Sequence, residues 1–318
     1  MKKISMGTSE EVSLKDGFIK FSNLKKAENI SPHSIKYYEY CFRYFSDYFG
    51  EDNPCATINE DSVHGYMLHI RETKTELSDS TRNSYIRGLR VILYYFMERG
   101  YVEKFSIKIP KADKKIKETY SEDELERLLK KPDIKKCGFA EYRDWVIVCY
   151  LLATGNRLRT ICNVKISDLD LANYEIRLRE VKNRKQYIIP LSTSLQKILI
   201  EYLQYRKGEK DDFLFCTVFG KQLTKDTLES SIRKYNIARG VDKTSIHLFR
   251  HTFAKNWILN GGDIFRLQRI LGHSTLDMVK EYVNFFGADL KNNFDTYNPL
   301  ENISSAIISK EKILMNKK

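Results

Sequence analysis

The sequence predicts a mainly α-helical protein with two domains: a helical N-terminal domain, and a mostly helical second domain that contains a small antiparallel β-sheet. Three observations support this fold class. The chain has 318 residues, which is enough for about two domains of roughly 150 residues each. Apolar residues recur at three- and four-residue steps through most of the chain, whereas strand-like patterning is confined to 174–189. A lysine-rich segment with little to bury separates the two parts.

The first hundred residues carry clear helix boundaries. An amphipathic stretch over 10–27 predicts the first helix. Ser31 and Pro32 then offer an N-cap and a first helical position for the second helix. Two further helices are predicted at 61–71 and 80–98. No strand pattern interrupts this region, so we expect a helical domain.

The predicted boundary between the domains is a charged linker. Five lysines, one aspartate and Pro110 fall within 108–117. Immediately afterwards Ser121 and Glu124 stand at the spacing of a capping box, which marks the start of a new helix. The predicted organisation comprises four parts: a helical domain at 1–107, a basic linker at 108–118, a second domain at 119–300 and a C-terminal tail at 301–318.

The second domain is predicted to be helical around one hairpin. A helix over 142–153 is stopped by Thr154 and Gly155. The stretches 174–179 and 187–189 predict two strands joined by a basic turn. Apolar periodicity predicts five more helices, at 194–205, 225–239, 247–259, 264–271 and 276–283.

Charge points to a polyanionic partner. The chain has 54 Lys and Arg against 42 Asp and Glu, a net charge of +12. Nucleic acid is the first candidate, and a merely solvated basic surface is the alternative. The fourth helix and the linker supply the predicted DNA-contacting side chains: Arg82, Asn83, Arg87, Arg90, Lys111, Lys114 and Lys115. For the helix, an ordinary solvated face is the competing interpretation.

The sequence also indicates where the protein resides. Its longest apolar run, at 145–153, is far below the ~18 residues that cross a bilayer, and we expect no membrane partner. The N-terminus lacks the apolar segment of a secretory signal. The six cysteines never form a CxxC pair, which predicts buried free thiols in a reducing compartment. We therefore expect a cytoplasmic protein.

Three of the six histidines lie near the C-terminus: His247, His251 and His273. His247 and Arg250 are three residues apart, so on a helix they share a face and can converge on phosphate oxygens. A partly exposed helix is the alternative. A zinc site formed by the three histidines is a second alternative, but Leu248 stands where the HExxH motif of zinc proteases has its glutamate.

Taken together, these motifs resemble the tyrosine recombinase, or phage integrase, family in its compact, Xer-like two-domain form. Thr154-Gly155-Asn156-Arg157 resembles the T-G-x-R box of the family, and Lys182, eight residues before Pro190, is similar to its mobile lysine. The stretch from His247 to Ala254 resembles the H-x-x-R box. Leu271-Gly272-His273-Ser274 resembles the L-G-H box, and Tyr282 follows His273 at the spacing of the nucleophile.

The resemblance implies a metal-free and ATP-free reaction without cofactors, in which DNA is cut and rejoined through a 3′-phosphotyrosine. Arg157 and Arg250 would bind the scissile phosphate, and Lys182 would protonate the 5′ oxygen. His247 and His273 would contact the phosphate or help to manage the proton of Tyr282. The implied partner is double-stranded DNA with paired core recombination sites, bound by a homotetramer or with a related recombinase.

Two positions depart from the family pattern, and two other functions stay open. Thr160 stands where the family often has glutamate, and Phe249 replaces its usual leucine. The alternatives are an inactive integrase-like DNA-binding protein and an enzyme that nicks and reseals DNA like a type IB topoisomerase. A broken apolar pattern in 301–318 is similar in place to the protomer-docking segment of the family, and a charged tail that binds nothing is its alternative.

Overall fold

A computed structural model describes residues 11–111, 118–179, 186–273, 275–286 and 298–300. These residues fall into two compact units, divided between residues 115 and 116. The division lies within the predicted linker. Both units are mainly helical, and a small antiparallel sheet belongs to the second, which confirms the predicted fold class.

The first unit contains the helices α1 (Leu14–Ala27), α2 (Pro32–Phe49), α3 (Glu60–Thr73) and α4 (Asp79–Glu98). Side chains cap each of them: Ser13, Ser31, Asn59 and Ser78 accept hydrogen bonds from backbone N–H groups in the first turn. The predicted elements are confirmed, with boundaries that differ by a few residues.

Aromatic side chains form much of the core of the first unit. Phe18 of α1 stacks on Phe42 of α2 with ring centroids 4.0 Å apart. Phe45 of α2 meets Tyr66 of α3 edge to face at 5.2 Å. Edge-to-face and stacked rings are favourable arrangements for the aromatic quadrupole. These contacts bury the face that the apolar spacing of α2 predicts.

The second unit begins with α5 (Glu122–Leu129), where Ser121 and Glu124 form the predicted capping box. It continues through α6 (Phe139–Thr154), the one-turn helix α7 (Leu158–Ile161) and three strands, then α8 (Thr193–Arg206) and α9 (Lys225–Ala238). The last three helices are α10 (His247–Leu259), α11 (Ile264–Leu271) and α12 (Asp277–Phe286).

The sheet has the order β1-β2-β3, with both pairs antiparallel. The predicted hairpin is formed by β2 (Glu175–Arg179) and β3 (Gln186–Pro190), with Ile176 opposite Ile189. The edge strand β1 (Leu169–Asp170) was not predicted, because two residues are too few to show alternation.

Helix α6 lies at the centre of the second unit and positions the site. Residues 145–151 are all nearly inaccessible, so the helix is apolar on every side rather than amphipathic. It packs against α5, α8, α9 and α10. Gly155 ends it in the left-handed conformation, with φ of 61°, and the chain turns there toward Arg157.

The cysteines agree with the sequence prediction. All six are free thiols, and five of them are buried. Burial raises the pKa of Cys149 to about 12 and that of Cys41 to about 11. None of the helices in the described ranges combines the length and the apolar character needed to cross a membrane.

Candidate active site

Arg250 is the centre of the site. It lies on the first turn of α10 and is only 5 % exposed. Its guanidinium donates to the carbonyl oxygens of Gly155 and Leu271, each at 2.8 Å, and a third contact joins it to Nε2 of His273. The Arg250 side chain thus links its own H-x-x-R box to the T-G-x-R box and to the L-G-H box. These three contacts use the several N–H donors of the guanidinium.

Arg157 is anchored, like Arg250, to the end of α11. It is the N-cap residue of α7, and it donates to the carbonyl oxygen of Gly272 at 3.1 Å. Gly272 is the residue after Leu271, so consecutive carbonyl oxygens anchor the two guanidinium groups. Gly272 also ends α11 in the left-handed conformation, with φ of 61°.

Tyr282 lies on α12, close to both arginines. The residue is 3 % exposed and packs in a cluster with Ala254, Leu267, Leu271 and Val279. Its hydroxyl lies 2.8 Å from Nδ1 of His251. Burial raises the pKa of the phenol, while the charges of Arg250 and Arg157 and a hydrogen bond from Arg250 oppose that rise.

The electrostatics of the site favour an anion. Burial and the neighbouring charge of Arg157 lower the pKa of Arg250 to about 10, so the Arg250 guanidinium is still charged at neutral pH. Burial and the charge of Arg250 also lower the pKa of His247, which is therefore neutral at pH 7. Two adjacent cations repel each other, and a phosphate that accepts hydrogen bonds from both would relieve this repulsion.

The structure thus brings together five of the six predicted catalytic residues: Arg157, His247, Arg250, His273 and Tyr282. Lys182 lies outside the described residues. Sequence reasoning missed the contact between His251 and Tyr282. The i, i+4 spacing of His247 and His251 was visible, but it was weighed only as a zinc motif.

The zinc alternative gains no support from the geometry. Within the part of the chain that the structure describes, no group of three or more His, Cys, Asp or Glu side chains is arranged to hold a metal ion. His273 instead faces the guanidinium of Arg250, and His251 faces the phenol of Tyr282.

The structure corrects part of the predicted DNA-contacting set on α4. Asn83 is 4 % exposed and donates to the carbonyl oxygen of Pro110 at 2.8 Å, so it cannot reach a base edge. Arg82 donates to the carbonyl oxygens of Lys74 and Thr75 and pairs with Asp79 at 2.7 Å. Arg82 thus ties the start of α4 to the loop before it, and Asn83 ties it to the segment that follows the helix.

The remaining members of that set lie differently. Arg87 is exposed and Arg90 is half-buried, so both stay predictions. Lys111 is exposed at the end of the first described range. Lys114 and Lys115 lie outside the described residues.

Replacing Gly155 with alanine is expected to destabilise the second unit by about 2–5 kcal/mol. The left-handed backbone costs a non-glycine residue about 1–2 kcal/mol. A Cβ atom would also lie 2.7 Å from side-chain atoms of Leu271 and Phe253, and such overpacking costs about 1–3 kcal/mol. Urea unfolding followed by circular dichroism measures the loss.

Gly220→Ala is the matched control for that measurement. Gly220 has a similar φ of 75°, but a Cβ atom there would meet nothing within 4 Å. It should cost only the backbone part, about 1–2 kcal/mol. Equal losses in the two variants would show that Gly155 is not needed for the close approach of the end of α6 to Phe253 of α10 and Leu271 of α11.

This fold and site define the class of protein. The sequence model of the phage integrase family matches residues 118–287, which is more than half of the chain. The chain therefore belongs to the phage integrase family, and the resemblance predicted from the four boxes is confirmed. Tyrosine recombinase XerA of Thermococcus kodakarensis is 29 % identical over 268 residues, covering 82 % of this chain and 88 % of the relative.

Solved structures share the fold. XerH site-specific recombinase, bound to its palindromic difH substrate in a post-cleavage complex, superposes with a TM-score of 0.68 at 22 % identity. The match covers 86 % of this chain and 81 % of that one. A lambda integrase tetramer bound to a Holliday junction gives a TM-score of 0.69 at 15 % identity, over 88 % of this chain and 79 % of that one.

Proposed function

We propose that this chain is a site-specific tyrosine recombinase that cuts and rejoins DNA strands through a 3′-phosphotyrosine intermediate. The observation that carries the proposal is the convergence of Arg157, Arg250 and Tyr282. The phenol of Tyr282 lies close enough to both guanidinium groups for their charges to oppose the rise in its pKa that burial causes. This is the arrangement that a phosphodiester needs when it is attacked by a tyrosine.

In the proposed reaction the phenol oxygen of Tyr282 attacks the scissile phosphorus while the two arginines bind the non-bridging oxygens. Charge accumulates on those oxygens in the five-coordinate transition state, so donors that are already in place lower its energy. The bond from phosphorus to the 5′ oxygen breaks, and Lys182 protonates the leaving group. His247 and His273 support the phosphate and the arginines.

The phosphotyrosine conserves the energy of the broken ester. A 5′-hydroxyl from a second strand can therefore displace Tyr282 and reseal the DNA without ATP. Exchange between two duplexes requires four such sites, which supports a homotetramer, or a mixed assembly with a related recombinase, on paired core sites. The lambda integrase tetramer on a Holliday junction, which has the same fold, supports this part of the proposal.

Two further parts of the proposal concern the C-terminal tail and the cellular location. The tail at 301–318 lies outside the described residues, so its docking on a neighbouring protomer stays a prediction. The cytoplasmic location stays a proposal, and the free, mostly buried cysteine thiols support it.

Trapping the covalent intermediate tests the function. The probe is a pool of nicked duplexes with randomised cores, in which the short fragment released by cleavage diffuses away and leaves the protein attached. We expect an adduct that survives denaturing electrophoresis, with a free 5′-hydroxyl on the released fragment. Sequencing of the DNA recovered from the adduct then gives the target site.

Two outcomes would favour the other functions. Binding to the duplexes without any adduct would indicate an inactive DNA-binding protein. Relaxation of supercoiled plasmids that lack the recovered site would indicate nicking and resealing of the topoisomerase type.

The logarithm of the DNA-binding constant is expected to fall linearly with the logarithm of the salt concentration, because basic side chains displace counterions from phosphates. Replacing the exposed Arg87 with alanine should reduce the magnitude of the slope by about 1. Fluorescence anisotropy at several salt concentrations measures the slope.

Arg82→Ala is the matched control on the same helix. Because Arg82 is engaged by two carbonyl groups and Asp79, we expect its loss to lower stability and leave the salt slope unchanged. An unaltered slope in Arg87→Ala would contradict the assignment of Arg87 to the DNA interface.

A further inference from the structure

His251 has no role in the proposed function, yet it contacts the proposed nucleophile. Its Nδ1 lies 2.8 Å from the hydroxyl oxygen of Tyr282, and the two ring centroids are 5.6 Å apart. We propose that His251 is a catalytic residue that orients the phenol and accepts its proton when Tyr282 attacks the phosphate. This inference rests on the proposed function and adds a group to its chemistry.

The hydrogen-bonding capacity of the three groups assigns the direction of the bond. A guanidinium has donors and no acceptor, so Arg250 can only donate to the phenol oxygen. The phenol has a single hydrogen, and a neutral imidazole offers one acceptor nitrogen. With a neutral imidazole the phenol therefore donates to Nδ1 of His251, and the hydrogen of His251 is then on Nε2. In this arrangement Arg250 stabilises the developing phenolate while His251 receives the proton.

His273 is less suited to the same task. Its Nε2 faces the guanidinium of Arg250, which can only donate, so the lone pair of this nitrogen is already engaged. His247 lies one turn before His251 on α10, and burial, together with the charges of Arg250 and Arg157, lowers its pKa. His251 is the histidine whose ring nitrogen lies within hydrogen-bond distance of the phenol, at 2.8 Å.

Packing fixes the relative placement of the two side chains. Val279 and Tyr282 lie one turn apart on α12 and are buried against Ala254, which lies one turn after His251 on α10. Helices α10 and α12 pack directly on each other. The same apolar contacts that bury Tyr282 therefore bring its hydroxyl to Nδ1, so the hydrogen bond needs little additional ordering.

The step balances in protons and bonds. The O–H bond of Tyr282 breaks as its oxygen bonds to phosphorus, and an N–H bond forms on His251. The bond from phosphorus to the 5′ oxygen breaks at the same centre, and a separate acid, Lys182 in the proposed function, protonates that oxygen. During rejoining the imidazolium of His251 returns its proton to the departing phenolate, and the neutral amine of Lys182 takes the proton of the attacking 5′-hydroxyl, so no other reactant is consumed.

The first test is single-turnover cleavage by His251→Ala on nicked duplexes that carry the site recovered from the adduct. We expect cleavage to slow by about 100- to 10,000-fold, the range for loss of a general base, with the Kd for the same duplex unchanged. His64→Ala, which removes an exposed imidazole from the first unit, is the control and should cleave at the wild-type rate. Wild-type or faster cleavage by His251→Ala would overturn the proposal.

Two rescue measurements separate proton acceptance from a merely structural role. A tri-fluorinated tyrosine at position 282 has a more acidic phenol, so it should restore most of the cleavage lost in His251→Ala. A duplex with sulfur in place of the 5′ bridging oxygen has a leaving group that needs no proton, so it should rescue Lys182→Ala and not His251→Ala. Failure of the fluorinated phenol to rescue, or rescue of His251→Ala by sulfur, would overturn the proposal.

The same experiments distinguish this inference from the proposed function. If the wild-type protein forms no adduct on any duplex, the function itself is wrong. If it forms the adduct and His251→Ala forms it equally fast, only the role of His251 is wrong.

Discussion

Replacing Tyr282 with phenylalanine is expected to abolish the covalent adduct with DNA. The substitution removes one oxygen atom, and that atom is the proposed nucleophile. The phenol oxygen of Tyr282 meets both His251 and Arg250, so the substitution removes the group that is placed to attack the phosphate. The measurement is adduct formation on the nicked duplex pool, resolved by denaturing electrophoresis.

The fold should survive this substitution. The ring of Tyr282 packs with Leu267, Leu271 and Val279, and phenylalanine retains that packing. Loss of the hydroxyl costs about 1 kcal/mol of unfolding free energy, the net value of a typical hydrogen bond. Unchanged noncovalent binding to the same duplexes would show that chemistry alone is lost.

Tyr187→Phe is the matched control. Tyr187 lies on β3, and its ring is within 3.3 Å of the place where a Cβ atom of Gly272 would stand, so it is a second phenol beside the site. We expect this variant to form the adduct within a few-fold of the wild-type rate. An adduct of unchanged yield in Tyr282→Phe would remove the assignment of the nucleophile.

Replacing Arg250 with lysine is expected to slow cleavage by at least about 100- to 1,000-fold although the charge is retained. An ammonium group is a point charge on a flexible chain, and it cannot span the carbonyl oxygens of Gly155 and Leu271 while also binding a phosphate oxygen. Removing one fixed donor from a developing oxyanion costs a factor of this size. Single-turnover cleavage measures the effect.

Arg250→Lys should also lower the unfolding free energy by about 2–4 kcal/mol, because two buried carbonyl groups lose a charged donor. Cleavage is therefore measured well below the melting temperature of the variant, with circular dichroism as a check of the fold. Arg159→Lys is the control, since Arg159 is exposed two residues after Arg157. Wild-type cleavage by Arg250→Lys would contradict the binding of phosphate by two guanidinium groups.

The Arg157 and Arg250 variants should not be additive. The two side chains are anchored to consecutive carbonyl oxygens and are expected to share one phosphate. When one arginine has been replaced, the remaining one binds a phosphate that is already poorly placed. The cleavage rate of the double variant should therefore fall by less than the product of the two single effects.

Local signals in the sequence determined most of the helices. Ser31, Pro32, Ser121 and Glu124 cap or start helices through contacts made within one turn, so tertiary structure is not needed to read them. Helices α10 and α11 were predicted with the bounds that the structure shows. The spacing of the four boxes indicated the family and named the residues that converge.

Tertiary structure alone decided which atoms meet. The sequence shows Asn83 on a helix beside three arginines, but only the fold brings the carbonyl oxygen of Pro110 within 2.8 Å and removes Asn83 from the surface. The sequence also shows His251 four residues after His247, but only the packing of α12 on α10 brings the hydroxyl of Tyr282 to the His251 ring. Caps and periodicities act over a few residues, whereas these contacts join segments 27 and 31 residues apart, and no local pattern records them.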